Sequence, residues 1–155
     1  MKISLFRGGF ATLYSSETIE TWDEFVDLVA KPVIGIKNGD YFVRGYCAGP
    51  RCDASITHPE MIIIDGDQLE NDGSSCCPPQ PVHAAMVNAG ITHVIYTSYS
   101  NDVINSRHKW RLCIPCNDLT DAGDLHQGVN EIIGYLHRSG LRVRNVVENM
   151  TLSQP

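Results

Sequence analysis

Short apolar runs separated by polar, Gly- or Pro-marked breaks dominate the chain, and in two stretches the apolar spacing becomes helical. Residues 2–6, KISLF, predict a strand, followed by a Gly-containing loop rich in Ser and Thr. Trp22, Phe25, Val26, Leu28 and Val29 then fall on one helical face, with Thr21 as a cap and Pro32 after the end. Residues 33–37 and 41–46 are β-rich and flank Asn38-Gly39-Asp40, which predicts a hairpin. After an irregular Gly/Pro stretch, residues 61–64 (MIII) read as a central strand buried on both faces. Residues 70–81 predict a polar, Pro-rich loop, 82–88 a short helix stopped by Gly90, and 93–98 and 110–115 two further strands. The longest helix follows, capped by Thr120 or Asp121, with Leu125, Val129, Ile132, Ile133 and Leu136 as its apolar stripe up to Gly140. A last strand over 143–147 leads into Glu148. Strands interspersed with two or three helices, one pair of them a hairpin, predict α/β or α+β architecture with mixed or antiparallel pairing.

With 155 residues and no linker or internal repeat, one domain is expected. An apolar fraction of 43% suffices for a buried core. No apolar run approaches the ~18 residues of a membrane span, and the N-terminus lacks a secretory pattern, so the chain reads as soluble and intracellular. A net charge of −6 argues against coating duplex DNA through a broad basic face. It is compatible with a nucleic-acid enzyme whose metal site needs clustered acids. Six cysteines (47, 52, 76, 77, 113 and 116) without an export signal indicate free thiols or a metal site rather than disulfides.

The chemistry begins at Asp65-Gly66-Asp67, at the end of the most apolar strand. Strand residues two apart share a face, so both carboxylates can converge on one point. Unpaired, they would repel; a hard divalent cation removes that cost. Alone, D-x-D fits a polar strand end entering the loop at Gln68 equally well. Next comes Ser106-Arg107-His108-Lys109-Trp110-Arg111, which holds three of the twelve basic residues. If extended, it puts Arg107, Lys109 and Arg111 on one face, suited to a polyphosphate or nucleic-acid backbone, and His108 with Trp110 on the other. A solvated basic edge with a core Trp explains the segment equally well. Glu148 gains meaning only from its order after these two motifs.

That order (IIIDGD, then SRH, then VVE) resembles the three motifs of the archaeo-eukaryotic primase superfamily. The segments THVIYTSYS and RHKWRLCIP, and Arg51-Cys52-Asp53-Ala54 before the first motif, resemble phage- and plasmid-encoded primase-polymerases. The resemblance implies an α+β fold: an RRM-like catalytic sheet with an additional N-terminal α/β unit. It implies a two-metal nucleotidyltransferase in which Asp65, Asp67 and Glu148 hold magnesium or manganese. Ser106, Arg107, His108, Lys109 and Arg111 would then contact the incoming nucleotide's phosphates. Nucleoside triphosphates, a single-stranded DNA template and a helicase domain or protein are the implied partners, in the bacterial cytoplasm and without a membrane. The ending Leu152-Ser153-Gln154-Pro155 resembles an interior stretch of longer relatives, so a C-terminally truncated core is expected.

Cys113-Ile114-Pro115-Cys116 is a C-x-x-C, but Cys113 lies on a strand candidate and the Cys47/Cys52 spacing of five is loose; buried free thiols are expected rather than structural zinc. Asp118, Asp121 and Asp124 read as a solvated capping turn, and the histidines other than His108 as structural. A haloacid-dehalogenase-type phosphatase also starts from strand–D-x-D, but Gln68-Leu69 follows here, and the Glu-Gly that a Toprim domain places before D-x-D is absent from this sequence. A non-catalytic single-stranded nucleic-acid-binding module would use Tyr96, Tyr99 and Trp110 for stacking.

Overall fold

The computed structural model describes residues 1–6, 17–31, 40–50, 55–67, 76–98, 101–105, 107–117, 119 and 122–143. The expected strand at 33–37, the Asn38-Gly39 turn and residues 144–147 of the expected strand over 143–147 lie outside the described residues, as do Ser106 and Glu148. The same holds for Pro32, Arg51 to Ala54, Tyr99, Asp118, the caps Thr120 and Asp121, and the C-terminal 152–155.

The elements are β1 (Ile3–Phe6), β2 (Glu17–Ile19), α1 (Trp22–Ala30), β3 (Tyr41–Phe42), β4 (Gly45–Cys47), β5 (Ile56–Pro59), β6 (Met61–Gly66), α2 (Pro79–Asn88), β7 (Val94–Thr97), β8 (Trp110–Pro115) and α3 (Ala122–Arg138). The architecture is α+β: among the described residues there are three helices and three small sheets, ordered β2-β1-β3, β4-β5 and β6-β8-β7. No helix among the described residues is long and apolar enough to cross a membrane. The chain divides into two compact units, residues 1–61 with 115–125 and 150–155, and residues 62–114 with 126–149.

In the first unit β1 is central and buried at all four positions, paired antiparallel to β2 and β3. Three expectations change here: the run over 41–46 divides into β3, paired with β1, and β4, paired with β5. The Ser/Thr-rich stretch contains β2, and the irregular stretch before the central strand contains β5, paired antiparallel to β4. Neither segment alternates; each is a strand because a neighbouring edge satisfies its backbone groups. Phe6, Val43, Cys47 and Ile56 form a buried cluster. The buried Ser4 hydroxyl accepts from the Cys47 N–H at 2.9 Å.

Helix α1 starts where the sequence places it. Thr21 accepts from the Glu24 N–H, and the Glu24 carboxylate accepts from the backbone of Glu20 and Thr21, a capping box. Those backbone bonds hold the Glu24 carboxyl below its ordinary 4.5. Its stabilisation is therefore complete above the ordinary carboxylate range and is lost as pH falls through the lowered folded value. Thr21→Ala is expected to cost about 1 kcal/mol. Glu24→Gln should flatten the acid limb of α1 unfolding. Circular dichroism across a pH series checks both.

The second unit holds the β6-β8-β7 sheet. Val94, Ile95, Tyr96 and Thr97 lie opposite Cys113, Leu112, Arg111 and Trp110. The Glu60 carbonyl accepts from the Cys116 N–H, Arg111 meets Asp65 and Lys109 meets Asp67. Ascending positions on β6 thus face descending ones on β8, and this pair is antiparallel too. Met61 to Ile64 are all buried, as expected of a central strand. On the even-numbered face Trp110, Leu112 and Ile114 are buried beside Ile62 and Ile64. Helix α3 packs on this face: a Cβ on Gly128 would come within 2.7 Å of Ile62 Cδ1. Leu125, Val129, Ile133 and Leu136 carry its buried stripe.

Helix α2 begins at Pro79, three residues earlier than its apolar pattern indicates, and takes in the end of the expected Pro-rich loop. Proline at the first helical positions forfeits only N–H groups that have no intrahelical partner there. Gly90 and Gly140 follow α2 and α3 with φ of 67° and 77°, where glycine avoids the Cβ penalty.

Candidate functional site

The odd-numbered face of the β6-β8-β7 sheet changes character along its length. Met61, Ile63 and Cys113 are buried, whereas toward the end of β6 come Asp65 and Asp67, with Arg111 and Lys109 on the neighbouring strand. The period-2 strand geometry puts each pair on one side, as the sequence predicts. Antiparallel register then brings the pairs together.

Arg111 Nε donates to Asp65 Oδ1 at 2.7 Å. Lys109 Nζ lies 2.9 Å from Asp67 Oδ1 and 3.0 Å from Oδ2. The sequence poses unpaired carboxylates that repel until a cation arrives; the fold supplies two cations from the next strand. The side chains are 24% (Arg111), 29% (Lys109), 38% (Asp65) and 41% (Asp67) exposed. Pairs this open contribute on the order of 1 kcal/mol or less each, so the cluster is charge-balanced but weakly held.

A third strand extends the row. Tyr96 lies opposite Arg111 on β7, and its phenol interacts favourably with the guanidinium. Burial pushes the phenol pKa up, Cys113 and Asp65 add to this, and Arg111 opposes it. For Arg111, burial disfavours the charge, but Asp65 and Tyr96 outweigh it and the guanidinium is held above its usual range. Tyr96 enters the sequence reading only as a stacking candidate. Its place beside Arg111 follows from β7–β8 register, for which the sequence carries no local signal.

Behind this face the basic segment is firmly seated. The Lys109 N–H donates to Asn101 Oδ1 at 3.0 Å, and its carbonyl accepts from the Ser98 N–H. Arg107 is exposed and exchanges two backbone hydrogen bonds with Asp102. His108 is half-buried, and its carbonyl accepts from the Cys76 thiol at 3.3 Å. Trp110 turns to the opposite face, buried, with Nε1 donating to the Cys77 carbonyl at 2.8 Å.

Among the described residues no group of three or more His, Cys, Asp or Glu is placed to hold a metal ion. Asp65 and Asp67 supply two hard oxygen donors of the kind magnesium and manganese take. The third expected ligand, Glu148, lies outside the described residues, as does Ser106 of the phosphate-contacting set.

Cysteines 47, 76, 77, 113 and 116 are free thiols. Cys47 donates to the carbonyls of Gly49 and Pro50. Burial, then Cys77 and Asp67, push the Cys76 thiol up to about 11, and burial raises Cys77 as well. Both are protonated at neutral pH, which disfavours nucleophilic use. Iodoacetamide at pH 7.5 should therefore leave Cys76 unmodified in the native protein and label it after unfolding, as peptide mass spectrometry would report.

Comparison with protein-family models, with curated proteins and with solved structures finds no match to this chain.

Proposed function

We propose that this chain is the catalytic core of a template-dependent nucleotidyltransferase of the primase-polymerase type, acting in phage or plasmid replication in the bacterial cytoplasm. One observation carries the reading: two carboxylates and two cations meet on one face at the end of a buried strand. Phosphoryl transfer from a triphosphate needs both charge types side by side, because carboxylates alone repel the phosphates. Two carboxylates are hard oxygen donors of the kind a divalent ion takes, and Asp65 and Asp67, with Glu148 by motif order, would hold magnesium or manganese. When bound, the metal pair would supply activation of the primer hydroxyl and neutralisation of the departing pyrophosphate.

The chain's own residues do the positioning. Lys109 and Arg111, with Ser106, Arg107 and His108, hold the phosphates of the incoming nucleotide. Tyr96 keeps the guanidinium of Arg111 oriented. Trp110 anchors the strand that presents both cations. In this reading the β6-β8-β7 sheet, with α3 on its even face, is the RRM-like part. The template is single-stranded DNA, and a helicase domain or protein is the partner.

The test is incubation with primed and unprimed single-stranded DNA, nucleotides of both sugar types, and manganese or magnesium. Template-dependent incorporation is expected. Its absence with every combination refutes the reading, and turnover of p-nitrophenyl phosphate in its place selects a phosphatase. A second reading draws on the same ion pairs: they are complete without a metal, which suits a non-catalytic single-stranded nucleic-acid-binding module. Strand binding without synthesis, unchanged in Asp65→Asn plus Asp67→Asn, selects that module.

A further inference from the structure

We infer that Asp65, Asp67, Lys109 and Arg111 form a charge-exchange site, at which a divalent cation and a polyphosphate bind cooperatively because each releases the residues the other needs. The inference rests on the reading of Asp65 and Asp67 as metal-binding groups. In this structure the two carboxylates are satisfied by Arg111 at 2.7 Å and Lys109 at 2.9 Å. A divalent ion alone meets a neutral cluster and must displace two cations. A polyphosphate alone meets Lys109 and Arg111 already engaged by carboxylates that repel it. Together the ligands complete an exchange: the metal takes the carboxylates, and the freed cations take the phosphate oxygens.

The geometry gives the exchange a direction. Both anions belong to β6 and its end, and both cations to β8 and its lead-in, so the cluster is negative along one strand and positive along the next. A metal–polyphosphate complex has the complementary polarity. Partial exposure of all four side chains gives ligands access. Arg111 keeps its place on the sheet when Asp65 turns to the metal, because β8 is paired on its other side with β7, where Tyr96 lies opposite Arg111. The Lys109 backbone is likewise fixed by Asn101 and Ser98. By linkage, whatever factor the cation adds to anion affinity, the anion returns.

Affinity for inorganic tripolyphosphate, and for a non-hydrolysable nucleoside triphosphate, is measured by calorimetry with saturating manganese and with chelator. For the wild type, binding is expected to be roughly tenfold tighter with manganese. The decisive variant is Asp65→Asn plus Asp67→Asn, measured without metal, where chelation of metal by the probe plays no part. Freed of their counter-charges, Lys109 and Arg111 should bind both probes roughly tenfold tighter than in the wild type under the same conditions, and manganese should then add little. Lys109→Met plus Arg111→Met should weaken metal-free binding of both probes by at least roughly tenfold. Asp67→Asn alone, at the more exposed carboxylate, should show a smaller gain of the same sign, and it serves if the double variant fails to fold.

No metal-free gain in the asparagine variants overturns the exchange. So does a gain confined to the nucleotide, which places recognition in base and sugar. The two proposals separate cleanly: the metal-free gain without DNA synthesis leaves the exchange standing and removes the polymerase reading. Synthesis by the wild type without that gain does the reverse.

Discussion

Replacing Asp65 and Asp67 together by asparagine is expected to lower template-dependent incorporation by at least about a thousandfold, the factor that about 4 kcal/mol of lost transition-state stabilisation gives. Asparagine keeps a carbonyl oxygen where Arg111 Nε and Lys109 Nζ now donate, so the strand pairing and the seating of β8 persist. What it removes is the negative charge that a divalent ion requires. Alanine at the same positions is a poorer instrument, because it leaves Arg111 Nε, on a side chain only 24% exposed, without the acceptor that asparagine keeps. Activity loss would then mix with unfolding. The check is primer extension beside a thermal melt on the same preparation. Incorporation within tenfold of wild type, in a variant that melts normally, would remove both carboxylates from the reaction.

The largest effect on stability belongs to a residue with no side chain. Gly66 lies between the two aspartates and opposite Trp110. A Cβ at this position would sit closer than 3.0 Å to three atoms of the indole, Cε2, Cδ2 and Cζ2. The ring cannot yield easily: Trp110 is buried, and Nε1 is committed to the Cys77 carbonyl. Gly66→Ala is therefore expected to destabilise the protein by about 3 kcal/mol, the upper end for overpacking, and to lower Tm by roughly 6–12 °C. A smaller ring should relieve the clash, so Trp110→Leu in the alanine background ought to cost less than it does in the wild type. A double-mutant cycle reads that coupling directly. Strict additivity of the two substitutions would show that the close approach of ring and strand does not limit packing here. The same substitution would displace the strand end that carries Asp65 and Asp67, so activity should fall along with stability.

Gly66 also marks how far local pattern reaches. That Asp65 and Asp67 share a face, and that Lys109 and Arg111 share one away from Trp110, follows from the two-residue repeat of an extended backbone, and the fold obeys it. Helices α1 and α3 and the buried strand β6 are equally readable, because 3.6-residue and unbroken apolar patterns report how each segment meets a core. Elements without a period of their own were not: β2 and β5 exist through their neighbours' edges, and α2 opens at Pro79, where composition looks like loop. Ser106 and Glu148, two members of the expected site, lie outside the described residues.

What the amino-acid sequence determined by itself, then, is the inventory and its facing: two acids on one strand, two bases on another, an indole turned the other way. The tertiary structure decided who meets whom, setting Asp65 against Arg111, Asp67 against Lys109, Tyr96 beside the guanidinium and Trp110 over Gly66. The reason is that facing depends on backbone geometry within a few residues. Partnership depends on strand register, which is fixed by packing among segments far apart in the chain.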